Sequence, residues 1–416
     1  MNTDRMILGE NAIFSRDSRE TGLNNNVLVV GSSGSGKTRS LVEPLLLETE
    51  ERSLIVSITK RRLFYQYAPL FRERGYRVLD LNFAEPQKAD ACFDHMRYIK
   101  SYEDIRHTSE SIVMAEPRKA HNTAADPYWD KAAISLLNAL TAYVRMTKKN
   151  CDFVHVLELL DELSYEESCG HVETSLDERF QQLEEKDPHC FAVSCYRSFQ
   201  QLPAKTAGCV FGTLNTTIDS LFNPQLRRMI REKKAVDFRT LAKERTVLFV
   251  TSSAVNPSLH SFVNMFFAQA IKSLFEFAEA QPDGRLPVPV DIICDDFATG
   301  SRILNFPEYI SIFREKQISA TMLVQSESQL ISMYGTEEAT TIINNADTYV
   351  YLGGMDLQTG KNISMRLNVP LDEVLYMPVG KEYIFRRGQR PISTSRYPIE
   401  TDPRYIEVTR QYTQGR

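Results

Sequence analysis

Residues 31–38 read GSSGSGKT and follow directly on a short apolar run, VLVV, at 27–30. This is the G-x-x-x-x-G-K-[ST] pattern, and it suits one local backbone: a strand, a tight glycine-rich loop, then a helix. Gly31, Gly34 and Gly36 permit backbone angles that a Cβ forbids. Successive N–H groups from Gly31 through Ser32, Ser33, Gly34, Ser35 and Gly36 can therefore turn inward on an anion. The helix that follows points its positive end at the same anion. Lys37 would reach the terminal phosphates of a nucleotide, and the Thr38 hydroxyl would bind Mg²⁺. Asn24, Asn25 and Asn26 make a turn before the run, and residues 39–50 can be helical. A Gly/Ser-rich linker is the competing reading, and the ordered flanks argue against it.

Further short apolar runs stand at 54–58, 76–81, 246–251, 290–295, 320–325 and 348–352, with helical segments between most of them. Strands alternating with helices imply an α/β fold with a parallel sheet covered on both faces. The stretch 92–240 differs, because it has almost no strand signal. Residues 128–146 place Trp129, Ala132, Ala133, Leu136, Leu137, Leu140, Tyr143 and Val144 on one helical face. Asp126 can cap that helix, with Pro127 in its first turn. Its aromatic stripe reads as core rather than as a binding surface. Residues 154–163 and 214–226 look helical too, although Pro224 would end the second early.

The expected organisation is a RecA-like nucleotide-binding domain formed by 1–91 and 241–400. An all-α domain at 92–240 is inserted into it, and a polar tail follows at 401–416. A chain of 416 residues that is 42% hydrophobic has the size for two or three domains. The tail shows no strong periodicity and reads as a disordered segment or a contact arm.

Net charge is −5, which argues against a broad basic face but leaves room for nucleic acid held by a few loops inside a ring. The seven cysteines include no C-x-x-C pair, which suits a reducing compartment. Cys169, His171, His189, Cys190 and Cys195 fall close together, but their spacing is irregular for zinc, so buried thiols and surface histidines are the preferred reading. No stretch approaches the ~18 apolar residues of a membrane span, and the start, MNTDRMILGE, lacks a signal-peptide core.

Hydrolysis needs more than a phosphate loop. An acid must organise Mg²⁺, and another group must align the attacking water. The run VDIICDD at 290–296 supplies adjacent acids at a strand end. Asp295 would hold Mg²⁺ through water, and Asp296 would polarise the attacking water. Gln325, at the end of the strand 320–325, would face the ligand crevice and sense the γ-phosphate or align the water. Arg314, on a predicted helix before that strand, is the candidate for an arginine supplied to a neighbouring subunit's site, with Arg302 and Arg366 as rivals.

Taken in order, GSSGSGKT, DPYWDKAAISLLNALTAYV, ICDDFA, ISATMLVQSESQL and NNADTYVYLGG resemble the coupling-protein ATPases of type IV secretion and bacterial conjugation, the VirD/TraG-type group. The resemblance runs over about residues 23–391, and the Trp-containing helix and the segment Gln325–Leu330 are its more specific parts. It implies ATP and Mg²⁺ as cofactors and a homo-hexamer when active, with a monomer in isolation. It places the assembly at the cytoplasmic side of the bacterial inner membrane. The implied partners are single-stranded DNA, relaxase and relaxosome proteins or secreted effectors, and the secretion-channel subunits. The inserted helical domain would contact the relaxosome or effectors.

Two departures stand out. Relatives often carry Asp-Pro-Lys-Gly-Glu where this chain has Ile58-Thr59-Lys60-Arg61-Arg62, and they usually have Glu where it has Asp296. Relatives usually also begin with transmembrane helices, so the resemblance implies a trimmed form, a soluble member or one anchored by a partner; Met1 does not distinguish these. Lys60, Arg61 and Arg62 are the first candidates for a DNA-tracking pore loop. Two other functions fit the motifs: an FtsK/HerA-type duplex DNA translocase, which the large helical insertion argues against, and a nucleotide-regulated substrate receptor with weak hydrolysis.

Overall fold

The computed structural model describes residues 4–115, 127–168, 171–253 and 256–414. Its strands are β1 (Arg5–Gly9), β2 (Ala12–Ser15), β3 (Val27–Val30), β4 (Ser53–Ile58), β5 (Arg77–Asn82), β6 (Tyr165–Ser168) and β7 (His171–Thr174). β8 (Thr246–Thr251), β9 (Val290–Cys294), β10 (Ile318–Val324), β11 (Thr348–Tyr351), β12 (Lys381–Arg386) and β13 (Ile392–Ser395) complete the set. Nine of them form one sheet in the order β13-β12-β11-β3-β10-β9-β4-β8-β5. The seven strands from β11 to β5 run parallel, and β12 and β13 add an antiparallel edge.

Every residue of β3, β4, β8, β9 and β10 is buried. A strand covered on both faces is apolar along most of its length, which is why these runs were visible in the sequence. The seven expected strands are all present, displaced by two residues at most. Pleating sends alternate residues to two separate cores. Leu28, Val30, Ile55, Leu248, Ile292 and Met322 join the core that also holds the helices Pro257–Glu279 and Phe306–Lys316 and the apolar faces of the insertion. Val27, Val29, Leu54, Val56, Phe249 and Leu323 face the helices Glu43–Glu48 and Arg62–Glu73.

Among the described residues, the chain between β5 and β8 is helical, with one exception. The hairpin β6–β7 interrupts it, so the stretch is not purely α. The helix Pro127–Thr147 packs against Tyr102–Met114, Phe191–Gln200 and Ala204–Leu221. Its Ala133, Leu136, Leu137 and Leu140 are fully buried, and Trp129 and Tyr143 pack beside them, as core. Asp126, expected to cap this helix, lies outside the described residues. Pro224 does not simply end a helix. One helix runs Ala204–Leu221, Asn223 caps the next by accepting from Leu226 N at 3.0 Å, and Pro224 opens Pro224–Glu232. The two ends of the stretch are stitched together: Cys92 N donates to Lys234 O, and Val236 N donates to Cys92 O, each at 3.0 Å.

The segment after Thr401 is not a loose tail. It forms the helix Pro403–Gln414, packed on Arg62–Glu73. Only Tyr405 and Val408 are buried, which left little apolar period to read. Polar anchors do the rest: Arg404 pairs with Glu48 at 2.5 Å, and Gln66 donates to Thr409 at 2.9 Å. A second polar anchor sits under β9. Asp291, which is buried, pairs with Arg16 and accepts from Ser319, while Arg52 lies 3.4 Å from it and 2.7 Å from Asp4. Burial alone would raise the Asp291 carboxyl, but the Arg16 and Arg52 guanidiniums outweigh it and hold it below the usual range.

Among the described residues no helix is long and apolar enough to cross a membrane. Cys169 and the His171 side chain lie outside what is described. Cys190 caps the helix Phe191–Gln200, and among the described residues no group of three His, Cys, Asp or Glu side chains could hold a metal.

Candidate nucleotide site

The order of the sheet decides the site. β10 lies between β3 and β9, with Val324 opposite Val30 and Met322 opposite Cys294. The glycine loop, the acid pair and Gln325 therefore leave three adjacent strands at the same carboxyl edge. The loop is pinned there: Gly31 N donates to Val324 O at 3.2 Å, and Ser32 N donates to Gly353 O at 3.0 Å. Gly34 and Gly36 adopt φ of 76° and 82°, which a side chain resists. A Cβ on Gly31 would lie 2.5 Å from Ser35 Oγ. The following helix runs over 38–48, opening with a wide turn at Thr38–Val42 before Glu43–Glu48.

Lys37 Nζ donates to Gly31 O at 2.6 Å and Ser32 O at 3.2 Å, which holds the ammonium across the mouth of the loop. Burial lowers its pKa, with Asp296 and Asp295 opposing. Thr38 Oγ1 donates to the Asp295 carboxylate, 3.1 Å and 3.3 Å from its two oxygens. Burial, then the neighbouring Asp296 charge, pushes the Asp295 carboxyl up to about 6 against the pull of Thr38, Lys37 and Lys60. A hydroxyl and a carboxylate meeting beside a phosphate loop are the oxygen donors that Mg²⁺ takes. Asp296 stands in the left-handed region at φ 61°. The chain then turns back tightly, and a Cβ on Gly300 would lie 2.7 Å from His260 Cβ.

Gln325 is exposed at the end of β10, and its N–H donates to Gln329 Oε1 at 2.8 Å. The rest of that segment is scaffold. Ser326 caps the helix Glu327–Tyr334, and Ser328 donates to Asp356 at 2.8 Å. Buried Glu327 accepts from Tyr349 at 2.9 Å and pairs with Arg366 at 3.2 Å.

Arg314 is not brought to this site. It lies near the end of the helix Phe306–Lys316, just before β10 begins, and donates to Ser18 O at 3.4 Å. The length of β10, about 20 Å, separates that end of the sheet from the loop. Arg302 pairs with Glu338 at 3.2 Å, and Arg366 is taken by Glu327. The basic run at 60–62 also changes meaning. Arg61 binds Asp80 at 2.6 and 2.7 Å and Arg62 binds buried Glu43 at 2.5 Å, which leaves only Lys60 exposed and free of such a pairing.

Sequence reasoning missed Arg396. From the chain just past β13 its guanidinium reaches the loop, so a Cβ on Gly36 would lie 3.1 Å from Nη1. Nη2 donates to Leu352 O at 3.3 Å. Behind it is Glu382 on β12, fully buried, with neither carboxylate oxygen hydrogen-bonded. Burial pushes that carboxyl up to about 8, against the attraction of Arg396. No local pattern links positions 36, 382 and 396; only the sheet order does.

A glycine loop, an acid pair and a glutamine at the ends of β3, β9 and β10 define a P-loop NTPase fold with a strand set between the loop strand and the acid strand. The chain belongs to the family described as type IV secretory system conjugative DNA transfer, whose model matches residues 2–368. Solved structures agree with the VirD/TraG-type resemblance. The plasmid coupling protein TrwB in complex with the non-hydrolysable ATP analogue ADPNP has a TM-score of 0.68 at 14% identity, covering 89% of this chain and 84% of that one. TrwB in complex with ADP and Mg²⁺ gives 0.68 at 15% identity, with 89% and 85% covered. VirB4 of Thermoanaerobacter pseudethanolicus gives 0.60 at 11% identity, with 97% and 98% covered. No curated protein matches the chain in sequence.

Proposed function

We propose that the protein hydrolyses ATP with Mg²⁺ and uses the turnover to drive DNA–relaxase complexes or protein effectors through a type IV secretion channel. The observation that carries this reading is Thr38 Oγ1 meeting the Asp295 carboxylate at 3.1 Å beside the glycine loop, in a chain of the conjugative DNA transfer family. The loop amides of residues 31–38 would hold the phosphates, and Lys37 would exchange its carbonyl partners for them. Thr38 and Asp295 fit a Mg²⁺ ion, which when bound would neutralise charge developing on the terminal phosphates. Asp296 would take the proton from the attacking water, and Gln325 would align that water. Arg396 would add a cation on the Gly36 side of the loop. Arg314, remote from its own loop, would serve a neighbouring subunit in a homo-hexamer.

The division into a RecA-like domain (1–91 and 241–400) and an inserted domain (92–240) belongs to the same proposal. The Cys92–Ala235 bridge, which closes the insertion at its base, supports it. Action at the cytoplasmic side of the bacterial inner membrane is part of the same proposal.

The test is Mg²⁺-dependent ATP hydrolysis measured over a range of protein concentrations, with and without single-stranded DNA. The parent should turn over ATP with a cooperative dependence on concentration. Lys37→Ala should abolish nucleotide binding, and Asp296→Asn should keep binding while lowering turnover. Parent-level turnover in Asp296→Asn would remove Asp296 from the mechanism. Mixing Arg314→Ala with Lys37→Ala subunits should recover activity, and no recovery would refute action across the interface.

A further inference from the structure

A cleft of about 600 Å³ opens at the base of the insertion, away from the glycine loop in sequence and assigned no role so far. Arg97, Lys100, Arg145, Lys149, Lys233 and Lys234 line it, against two carboxylates, Asp94 and Asp152. The whole chain carries a net charge of −5, so this excess is local. Both acids are already engaged. Asp94 accepts from Met96 N at 3.1 Å and Phe153 N at 2.9 Å. Asp152 caps the helix Phe153–Glu162 and pairs with His155 at 2.8 Å, with Arg231 at 3.8 Å. Of the six cations, only Lys100 has an ion-pair partner among the described residues, Glu276 at 3.0 Å.

The cations are long and exposed or half-exposed, yet their backbones are fixed. Lys233 and Lys234 sit on the seam where Cys92 N binds Lys234 O at 3.0 Å. Arg97 lies in the turn His95–Tyr98, which Tyr98 Oη ties to Val236 O at 2.7 Å. Arg145 and Lys149 stand at and just past the end of Pro127–Thr147. Five uncompensated cations held on three separate stretches around an open cleft suit a chain of phosphates. The lining has no aromatic ring on which bases would stack, so the contact would be to the backbone and blind to sequence.

We propose that this cleft binds the phosphate backbone of single-stranded nucleic acid, as a docking site separate from the nucleotide loop. The choice of nucleic acid over an acidic peptide rests on the DNA-transfer arm of the function proposed above, in a chain of the conjugative DNA transfer family.

The test uses the full chain, without nucleotide, and a fluorescein-labelled oligothymidine, titrated at several salt concentrations. The variant is Lys149→Glu/Lys233→Glu/Lys234→Glu, all at positions outside the hydrolytic site. Its affinity should fall at least about tenfold at low salt. The slope of log K against log salt should shrink by about 2, since each single-strand phosphate contact contributes about 0.7. Its basal ATP hydrolysis should match the parent's. Unchanged affinity and slope would overturn the proposal. So would a result in which oligoglutamate binds in a manner sensitive to the triple variant while the oligonucleotide does not. Because binding is read without nucleotide, a parent that fails to hydrolyse ATP sinks the motor reading and leaves this result standing.

Discussion

Glu382 is the most exacting point in the fold to perturb, because its cost can be worked out. The side chain is fully buried on β12, its two oxygens have no hydrogen-bond partner, and burial pushes its pKa from the usual 4.5 to about 8. The unfolded chain releases that proton at its ordinary pKa. The native state therefore binds more protons than the unfolded state between about pH 4.5 and 8, and stability falls as pH rises through that window. At pH 7 the gap is about 2.5 units, or ~3 kcal/mol.

Glu382→Gln keeps the shape and removes the ionisation, so the variant should be about 3 kcal/mol more stable than the parent at pH 7. At about 2.1 cal/mol/K per residue, a chain of 416 residues has an unfolding entropy near 0.9 kcal/mol/K. The expected rise in Tm is then about 3–4 °C at pH 7, and it should close toward zero near pH 4.5. Thermal melts of the two proteins from pH 4.5 to 8 measure this directly. A variant no more stable than the parent at pH 7, or a difference that does not change with pH, would refute the argument. Either result would mean that Glu382 is ionised and satisfied in the native protein.

Arg396→Ala should weaken ATP binding about tenfold to a hundredfold by calorimetry, since a hydrogen bond to a charged group contributes about 1.5–3 kcal/mol; affinity equal to the parent's would remove Arg396 from the site. Asp291→Ala strands the buried Arg16 and Arg52 guanidiniums and should cost about 3–5 kcal/mol in urea denaturation, with loss below ~1 kcal/mol counting against a buried pair. Deleting residues 402–416 exposes the patch under Tyr405 and Val408 and takes Arg404 away from buried Glu48, leaving it only Arg5 at 3.3 Å, so Tm should fall; an unchanged Tm would mean the helix is not docked in solution. Asp296→Gly relieves a left-handed residue of its side chain and should hold or raise Tm by about 1 kcal/mol equivalent while ending turnover, and a lower Tm would show no strain at that position.

What the sequence disclosed follows burial. β3, β4, β8, β9 and β10 are covered on both faces, so their sequences are mostly apolar, broken only by single residues such as Ser57, Asp291 and Ser319, and they stand out. β12 alternates buried and half-buried positions at the sheet edge, and β13 is half-exposed, so neither forms an apolar run. The helix Pro403–Gln414 buries two side chains and is otherwise held by Arg404 and Thr409, contacts that no periodicity records. The loop and the acid pair were legible because each is contiguous. Arg396 was not, because its contact with Gly36 spans the sheet.

The acid after Asp295 shows how the two kinds of information meet. In sequence, Asp296 is a departure from the glutamate usual in the resembling family, and it suggests a shorter reach to the attacking water. In the fold, that residue sits at φ 61°, a region that Asp and Asn enter several times more readily than most other residues. The same turn holds Ala298 at φ 63° and Gly300 at φ 82°, the latter hard against His260. A glutamate would gain a methylene of reach and lose the local fit of the short acid to the left-handed turn. The shorter acid is thus matched to the loop that carries it, and the position of the carboxylate is set by the backbone as well as by side-chain length.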